Sequence, residues 1–157
     1  MKVNLQIASP KTIFYPVKGK DYTEAATYLI EKPYSACYEA NPTYKTKYSD
    51  GTTTEITIKA KPTITLPKWN GASKLKGDEK KYWTSMMTAL KKHEARHHKY
   101  FVDAAKKFKK SRESDGDVPN DDVAKVMNAF FTAGQAEQDA YDNRTDHGVS
   151  EGVVLPI

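Results

Sequence analysis

The sequence has a single cysteine, Cys37, among its 157 residues, and it has no long apolar run. One cysteine excludes an internal disulfide and any zinc site built from several thiolates. No run approaches the roughly 20 apolar residues that cross a bilayer, so we expect no transmembrane segment. Because no histidine lies near Cys37 in sequence, we interpret it as an inert core thiol and not as a nucleophile.

The amino terminus also lacks the apolar region of a secretory signal. Residues 1–10 carry one lysine and an apolar stretch that polar residues interrupt. We therefore expect either a protein that stays inside the cell or a mature form whose signal has been removed.

Charge is plentiful, but its arrangement is not typical of a nucleic-acid-binding protein. The net charge is +5, with 29% charged and 38% apolar residues, as in soluble globular proteins. The lysines of residues 91–110 fall largely off the apolar stripe of a helix, as on a solvated face. No aromatic and basic motif accompanies them, so we expect no nucleic-acid partner. The length suits one domain over residues 1–157.

Residues 1–67 are predicted to be mostly strand. Asp50-Gly51 between two alternating runs predicts a tight hairpin, and Asp21 with Glu24 predicts the capped start of a short helix that ends near Lys32. The predicted strands, rich in β-branched and aromatic residues, are residues 12–17, 43–48, 52–60 and 63–66.

Residues 78–142 have a period of about 3.6, which predicts two long helices. The first ends at a break in residues 111–117, and Pro119 opens the second. We expect the second helix to pack antiparallel on the first, with Gly134 allowing a close approach. The sequence thus predicts an α+β fold, in which a small N-terminal antiparallel sheet and a short helix pack on a C-terminal pair of long helices.

His93 and His97 fill a gap in the apolar stripe of the first long helix, between Leu90 and Tyr100. Residues four apart lie one turn apart on the same side of a helix, so both imidazoles can bind one ion. Glu94 is placed to act on a metal-bound water as a general base. Burying two unpaired imidazoles beside a carboxylate is costly without a cation. The HEARH segment therefore predicts a Zn²⁺ site, in preference to two ordinary core histidines.

A catalytic zinc usually has three protein ligands and a water, so one further ligand is needed. The candidates are Glu137, Asp142 and His147. Glu137 lies at the edge of the apolar stripe, where a surface glutamate is the better explanation. Asp142 is either a ligand or a partner that orients a liganding histidine. His147 lies just past the helix end, where the chain can turn back, and we favour it. Tyr141 is a candidate for stabilising the oxyanion of the reaction.

Three segments carry a resemblance to a known family: ITLPKW at residues 64–69, HEARHH at residues 93–98 and YDNRTDHG at residues 141–148. Over about residues 12–148 the chain resembles a bacterial family of predicted secreted zinc-dependent proteases. The resemblance implies a zincin-like domain in which His93 and His97 bind zinc, Glu94 is the catalytic base and His147 or Asp142 completes the site. It also implies a secreted or periplasmic location, from which the sequence departs by showing no signal segment. The partner that we expect is a peptide or protein substrate, and its association with the cell envelope stays open.

Two functions fit these observations. The first is a zinc metallopeptidase, in which a zinc-activated water cleaves an amide bond with Glu94 as general base. The alternative is a non-catalytic metal-containing domain that binds a cell-envelope polymer or a partner protein through a basic, tyrosine-rich sheet. Glu94 favours the enzyme, because a purely structural metal site has no need of a carboxylate beside the water.

Overall fold

The computed structural model describes residues 1–157 and confirms the α+β class. None of its helices combines the length and the apolar character that a membrane span needs. The strands are β1 (Lys2–Ile7), β2 (Lys11–Pro16), β3 (Cys37–Glu39), β4 (Pro42–Ser49), β5 (Thr52–Ala60), β6 (Thr63–Lys68) and β7 (Val118–Pro119). The α-helices are α1 (Tyr22–Ile30), α2 (Gly77–Asp115) and α3 (Val123–Thr145).

The chain divides into two compact units, each built from three stretches of sequence. The first unit comprises Met1–Pro10, Ala40–Pro62 and His98–Ala140. The second unit comprises Lys11–Glu39, Thr63–His97 and Tyr141–Ile157. Both long helices contribute residues to both units, and the expectation of a single domain stays a prediction.

The first unit contains a sheet in which β1 pairs in parallel, and β4 in antiparallel fashion, with β5. Asp50 and Gly51 have φ values of 50° and 79° and connect the paired residues Ser49 and Thr52. Two positive φ angles in a two-residue loop match the twist of the flanking strands, so the predicted hairpin is confirmed.

The second unit contains a sheet in which β6 lies between β2, its parallel partner, and β3, its antiparallel partner. Helix α1 starts as predicted, because the Asp21 side chain accepts a hydrogen bond from the Glu24 N–H at 3.0 Å. Trp69 and Trp83 pack with ring centroids 5.2 Å apart in the core of this unit. That core holds α1 along its length against the first half of α2.

The sheets differ from the single antiparallel sheet that we expected. The first sheet has one parallel and two antiparallel pairs, since β7 also pairs with β5, and the second has one of each. The parallel pairs arise because β1 and β2 pair with strands more than forty residues later in the chain. Parallel neighbours need such long connections, and a hairpin signal in the sequence cannot reveal them. Strands β1 and β3 were not predicted, since β1 was considered only as a signal segment and β3 has three residues.

The helix boundaries also differ from the prediction. Helix α2 has 39 residues and ends at Asp115, inside the predicted break, where the Arg112 side chain bonds Asp115. Gly116 follows, and its φ of 83° suits a residue just past a helix end. Pro119 lies in β7, and α3 begins four residues later at Val123. The predicted break therefore contains the end of α2, but the proline does not open α3.

Gly134 does not mediate a close helix approach, contrary to our expectation. Phe108 of α2 and Phe130 of α3 pack with ring centroids 4.7 Å apart, but a Cβ at Gly134 would meet no atom within 4 Å. Gly134 instead lines a groove of about 450 Å³ in the first unit. No neighbouring atom therefore requires a glycine at this position.

Two glycine substitutions test this description of the backbone. Gly51→Ala should destabilise the fold by about 1–2 kcal/mol, because an alanine at positive φ is strained. Gly134→Ala should stabilise it by up to about 1 kcal/mol, because alanine is the better helix former. At both positions a Cβ would meet no atom within 4 Å, so packing contributes to neither value. Urea unfolding measures the change in the free energy of unfolding for each variant. If both variants are stabilised, or both are destabilised, the description of these two glycines is contradicted.

Candidate metal centre

His93 and His97 lie one turn apart on α2 and face the core of the second unit, as predicted. Their exposed fractions are 3% and 5%, and their Nε2 atoms are 3.2 Å apart. Leu90, one turn earlier, is equally buried and continues the apolar stripe towards Met86. The same helix face therefore provides first an apolar core and then two nitrogen ligands.

Asp142, near the end of α3, brings a carboxylate oxygen to the histidine pair. Its Oδ1 lies 3.0 Å from His93 Nε2 and 2.9 Å from His97 Nε2. His93, His97 and Asp142 thus form a group of metal-ligand atoms that lie close to one another. Ligand atoms about 2.0–2.1 Å from a tetrahedral zinc are about 3.3 Å apart. The observed spacing fits three corners of such a site and leaves the fourth corner for water.

The second ring nitrogen of His93, Nδ1, forms a hydrogen bond with a carboxylate that was not predicted from the sequence. His93 Nδ1 donates to Glu151 Oε2 at 2.9 Å. Because Nδ1 carries the proton, Nε2 of the neutral ring presents its lone pair. This is the tautomer that a metal ligand needs, and the metal would lie on the Asp142 side of the ring.

The three converging atoms repel one another when both imidazoles are neutral and no cation is present. His93 Nε2 and Asp142 Oδ1 are both acceptors, and they face each other at 3.0 Å. A proton on His97 Nε2 can satisfy Asp142, but it leaves this pair of acceptors in contact. In a buried site such repulsion is weakly screened. A single cation at the centre of the three atoms would replace the repulsion by three attractive contacts.

Glu94 is buried beside this group, with an exposed fraction of 4%. Burial raises the pKa of Glu94 to about 8, and the negative charge of Asp142 adds to the effect. A carboxyl group with a pKa near neutrality can both take up and release a proton at physiological pH. A divalent cation nearby would favour the charged form and lower this pKa. Glu94 is therefore suited to proton transfer.

The two other candidate ligands lie outside the group. His147 has a side chain that is 48% exposed, and its Nδ1 lies 4.0 Å from Asp142 Oδ2. Glu137 belongs to the first unit and pairs with Lys107 at 3.8 Å on the helix surface. The structure thus brings Asp142 to the histidine pair in place of the favoured His147. The turn after α3, which sequence periodicity does not describe, causes the difference.

Tyr141 is also placed differently from the expectation that it would stabilise an oxyanion. Its ring stacks on His93 with centroids 4.8 Å apart, and its hydroxyl donates to Glu151 Oε2 at 2.6 Å. Burial and this bond raise its pKa above the usual range. The hydroxyl therefore lies on the Nδ1 side of His93, away from the converging ligand atoms. Arg96 completes the cluster by bonding Glu151 Oε1.

Hydrogen bonds and positive φ angles at the end of α3 explain the YDNRTDHG pattern. The His147 N–H donates to the Asp142 carbonyl at 2.9 Å, which is a Schellman-type end. Thr145 Oγ1 donates to the Tyr141 carbonyl and accepts from the Gly148 N–H. Asp146, His147 and Gly148 all have positive φ, a strained run for the two residues that are not glycine. This turn fixes Asp142 and returns the chain towards His93.

Gly148 is required for space as well as for its φ of 88°. A Cβ there would lie 2.7 Å from Val153 Cγ2 and 3.2 Å from the His93 ring. The backbone therefore passes directly against the His93 imidazole, where no side chain fits.

Cys37 and Tyr38 of β3 complete the surroundings. The expectation of a core thiol was wrong, because Cys37 is exposed. Burial of part of the side chain raises the pKa of the thiol, and the charges of Glu39, Glu94 and Asp142 add to this, so the thiol stays protonated and unreactive. The Tyr38 ring stacks parallel to the His97 ring at 6.3 Å. Strand β3 therefore runs beside the histidine pair.

Glu151, Arg96 and Tyr38 are the neighbours of the histidine pair that sequence reasoning missed. Arg96 lies inside the HEARH segment but was not considered, because that motif leaves its position open. Glu151 is an isolated acidic residue in a tail without periodicity, and no local signal identifies it.

Residues 12–148 match a protein family described as "Bacterial protein of unknown function (DUF922)", and the chain belongs to this family. The match covers His93, His97, Asp142 and the turn that follows α3, and it ends before Glu151. Comparison with curated proteins and with solved structures gave no match.

Gly148→Ala tests the close approach to His93. We expect it to weaken zinc binding by about 10- to 100-fold, because it disturbs the packing that orients a ligand. Gly116→Ala is the matched control, since Gly116 has a φ of 83° and no atom within 4 Å of its Cβ position. Both variants share the strain of an alanine at positive φ, Gly148→Ala adds the clash with Val153 and His93, and only Gly148→Ala should lose zinc affinity in a chelator competition. Equal zinc affinity in the two variants would contradict the assigned contact.

Proposed function

We propose that this protein is a zinc-dependent hydrolase, and specifically a metallopeptidase. The observation that carries the proposal is the convergence of His93 Nε2, His97 Nε2 and Asp142 Oδ1, each within 3.2 Å of the others. Two imidazoles and one carboxylate are a typical ligand set of catalytic zinc. Asp142 is proposed as the third ligand in place of His147.

Zinc fits this donor set better than other common cations. Imidazole nitrogens favour zinc, copper, iron and nickel over magnesium and calcium, which prefer oxygen ligands. A donor set of two histidines four residues apart on one helix and one carboxylate agrees with zinc. The Nδ1–H bond of His93 to Glu151 supports the same choice, because liganding histidines usually donate their second N–H to a carboxylate or carbonyl.

The chemistry follows from the neighbours of the ligands. When bound, zinc lowers the pKa of a water molecule to about 7 and polarises a carbonyl oxygen. Glu94 would accept a proton from the attacking water and deliver it to the leaving amine, a role that its buried position next to His93 on α2 supports. Burial of His93, His97 and Glu94 excludes bulk water and strengthens these interactions.

A peptide is the substrate that the surroundings support best. Strand β3 is the last strand of its sheet, and Tyr38 on that strand stacks on His97. An edge strand offers backbone N–H and C=O groups to an extended peptide, which would then lie beside the ligand group. This observation favours an amide bond over other hydrolysable bonds.

A secreted or periplasmic location is proposed from the resemblance to exported zinc-dependent proteases. Detection of the chain in periplasmic or culture fractions of the producing bacterium, free of a cytoplasmic marker, tests this. Recovery with the cytoplasmic marker alone would contradict it.

Single substitutions test the ligand set. Purified protein should bind one zinc, and His93→Ala, His97→Ala and Asp142→Ala should each weaken it by more than about 100-fold, since even an outer-shell loss costs about 10- to 100-fold. His98→Ala is the control on the same helix, and His147→Ala should retain zinc within about tenfold of wild type. Metal analysis after graded chelator treatment measures this. If His147→Ala loses zinc and Asp142→Ala keeps it, the assignment fails.

Glu94→Gln tests catalysis separately from metal binding. Turnover in a peptide-cleavage screen should fall by at least about 100-fold, because removal of a general base costs about 10²- to 10⁴-fold. The bound zinc should stay at one equivalent, since Glu94 is not among the three converging atoms. Cleavage by wild type that survives unchanged in Glu94→Gln would overturn the role of Glu94. A lack of any cleavage by zinc-loaded wild type would favour the non-catalytic binding domain.

A further inference from the structure

We propose that Glu151 is a positioning residue that fixes the orientation and tautomer of His93, and that the C-terminal segment Val149–Ile157 is thereby part of the metal site. The inference rests on the proposed zinc site. It goes beyond the family pattern, because the family match ends at residue 148.

Each oxygen of the Glu151 carboxylate has a partner in the second unit. Oε2 accepts from His93 Nδ1 at 2.9 Å and from the Tyr141 hydroxyl at 2.6 Å, and Oε1 bonds the Arg96 guanidinium. A carboxylate held from both sides has little freedom to rotate. His93 is therefore fixed by two contacts of the same cluster, the hydrogen bond to Glu151 and the stacking of Tyr141.

The chain delivers Glu151 by a short, well-anchored path. After Gly148 a single 3-10 turn, Val149–Glu151, brings the carboxylate under His93. The Val153 N–H then donates to the Gly148 carbonyl at 3.0 Å, and Val153 and Leu155 pack against the core cluster of the unit. The Tyr22 hydroxyl donates to the Pro156 carbonyl at 2.8 Å. These contacts hold both ends of the turn in place.

The chemical role follows from the two nitrogens of one imidazole. A carboxylate at Nδ1 holds the proton there, so Nε2 keeps the lone pair that a metal needs. Without Glu151 the His93 imidazole can adopt the other tautomer or rotate. Part of the free energy of zinc binding is then lost in fixing the tautomer and orientation of this ring. The carboxylate also raises the basicity of the ring as a ligand.

The test compares Glu151→Gln and Glu151→Ala with wild type in the full chain. We expect zinc affinity to fall by about 10- to 100-fold in Glu151→Ala and by less in Glu151→Gln, which keeps an acceptor oxygen. Asp103→Asn is the matched control, because it removes a carboxylate of α2 that pairs with Lys99 and does not belong to the converging group. Chelator competition gives the affinities, and thermal unfolding in chelator shows whether the variants remain folded.

A second readout separates positioning from a general structural role. In zinc-loaded wild type, the NMR resonance of the His93 Nδ1 proton should be shifted downfield by its bond to a carboxylate. Glu151→Gln should move it upfield and speed its exchange with water, while the corresponding His97 proton stays in place. Unchanged zinc affinity in folded variants, or an unmoved His93 resonance, would overturn this inference while the zinc site stands. Absence of zinc from wild type would overturn both.

Discussion

Three lone-pair atoms in one buried place, His93 Nε2, His97 Nε2 and Asp142 Oδ1, are the constraint on which the rest of the site depends. At separations near 3 Å these atoms repel each other when both imidazoles are neutral, and one cation between them removes the repulsion. The long helix provides two of them, four residues apart on one face. The third atom, Asp142 Oδ1, requires that the end of α3 lie against that face. The turn after α3 and the C-terminal segment that follows it hold the end of α3 there.

The strained turn after α3 is explained by this requirement. Asp146 and His147 adopt positive φ angles that residues other than glycine rarely have, and Gly148 touches the His93 ring. Strain of this kind persists where neighbouring contacts determine the backbone fully. Here the Thr145 hydrogen bonds, the Schellman-type end and the anchored tail supply those contacts. Local stability is lowered at the turn so that Asp142 and Glu151 can approach opposite sides of His93.

Local patterns predicted the part of the site that lies on one element. The spacing of His93 and His97 fixes their common face whatever the tertiary structure, and the Asp21 cap and the Asp50-Gly51 turn are equally local. The third ligand depends instead on how three consecutive positive φ angles redirect the chain, which periodicity does not encode. Glu151 is positioned by contacts with residues of α2, so a sequence window around it gives no sign of its role. Parallel strand pairing was missed for the same reason, since it joins distant segments.

The central claim is that one zinc ion lies among the three converging atoms. A crystal of zinc-loaded protein, measured on both sides of the zinc absorption edge, tests it most directly. The account predicts one strong anomalous peak about 2.0–2.2 Å from His93 Nε2, His97 Nε2 and Asp142 Oδ1. A peak coordinated by His147 with Asp142 turned away, or no peak at the histidine pair, would contradict it.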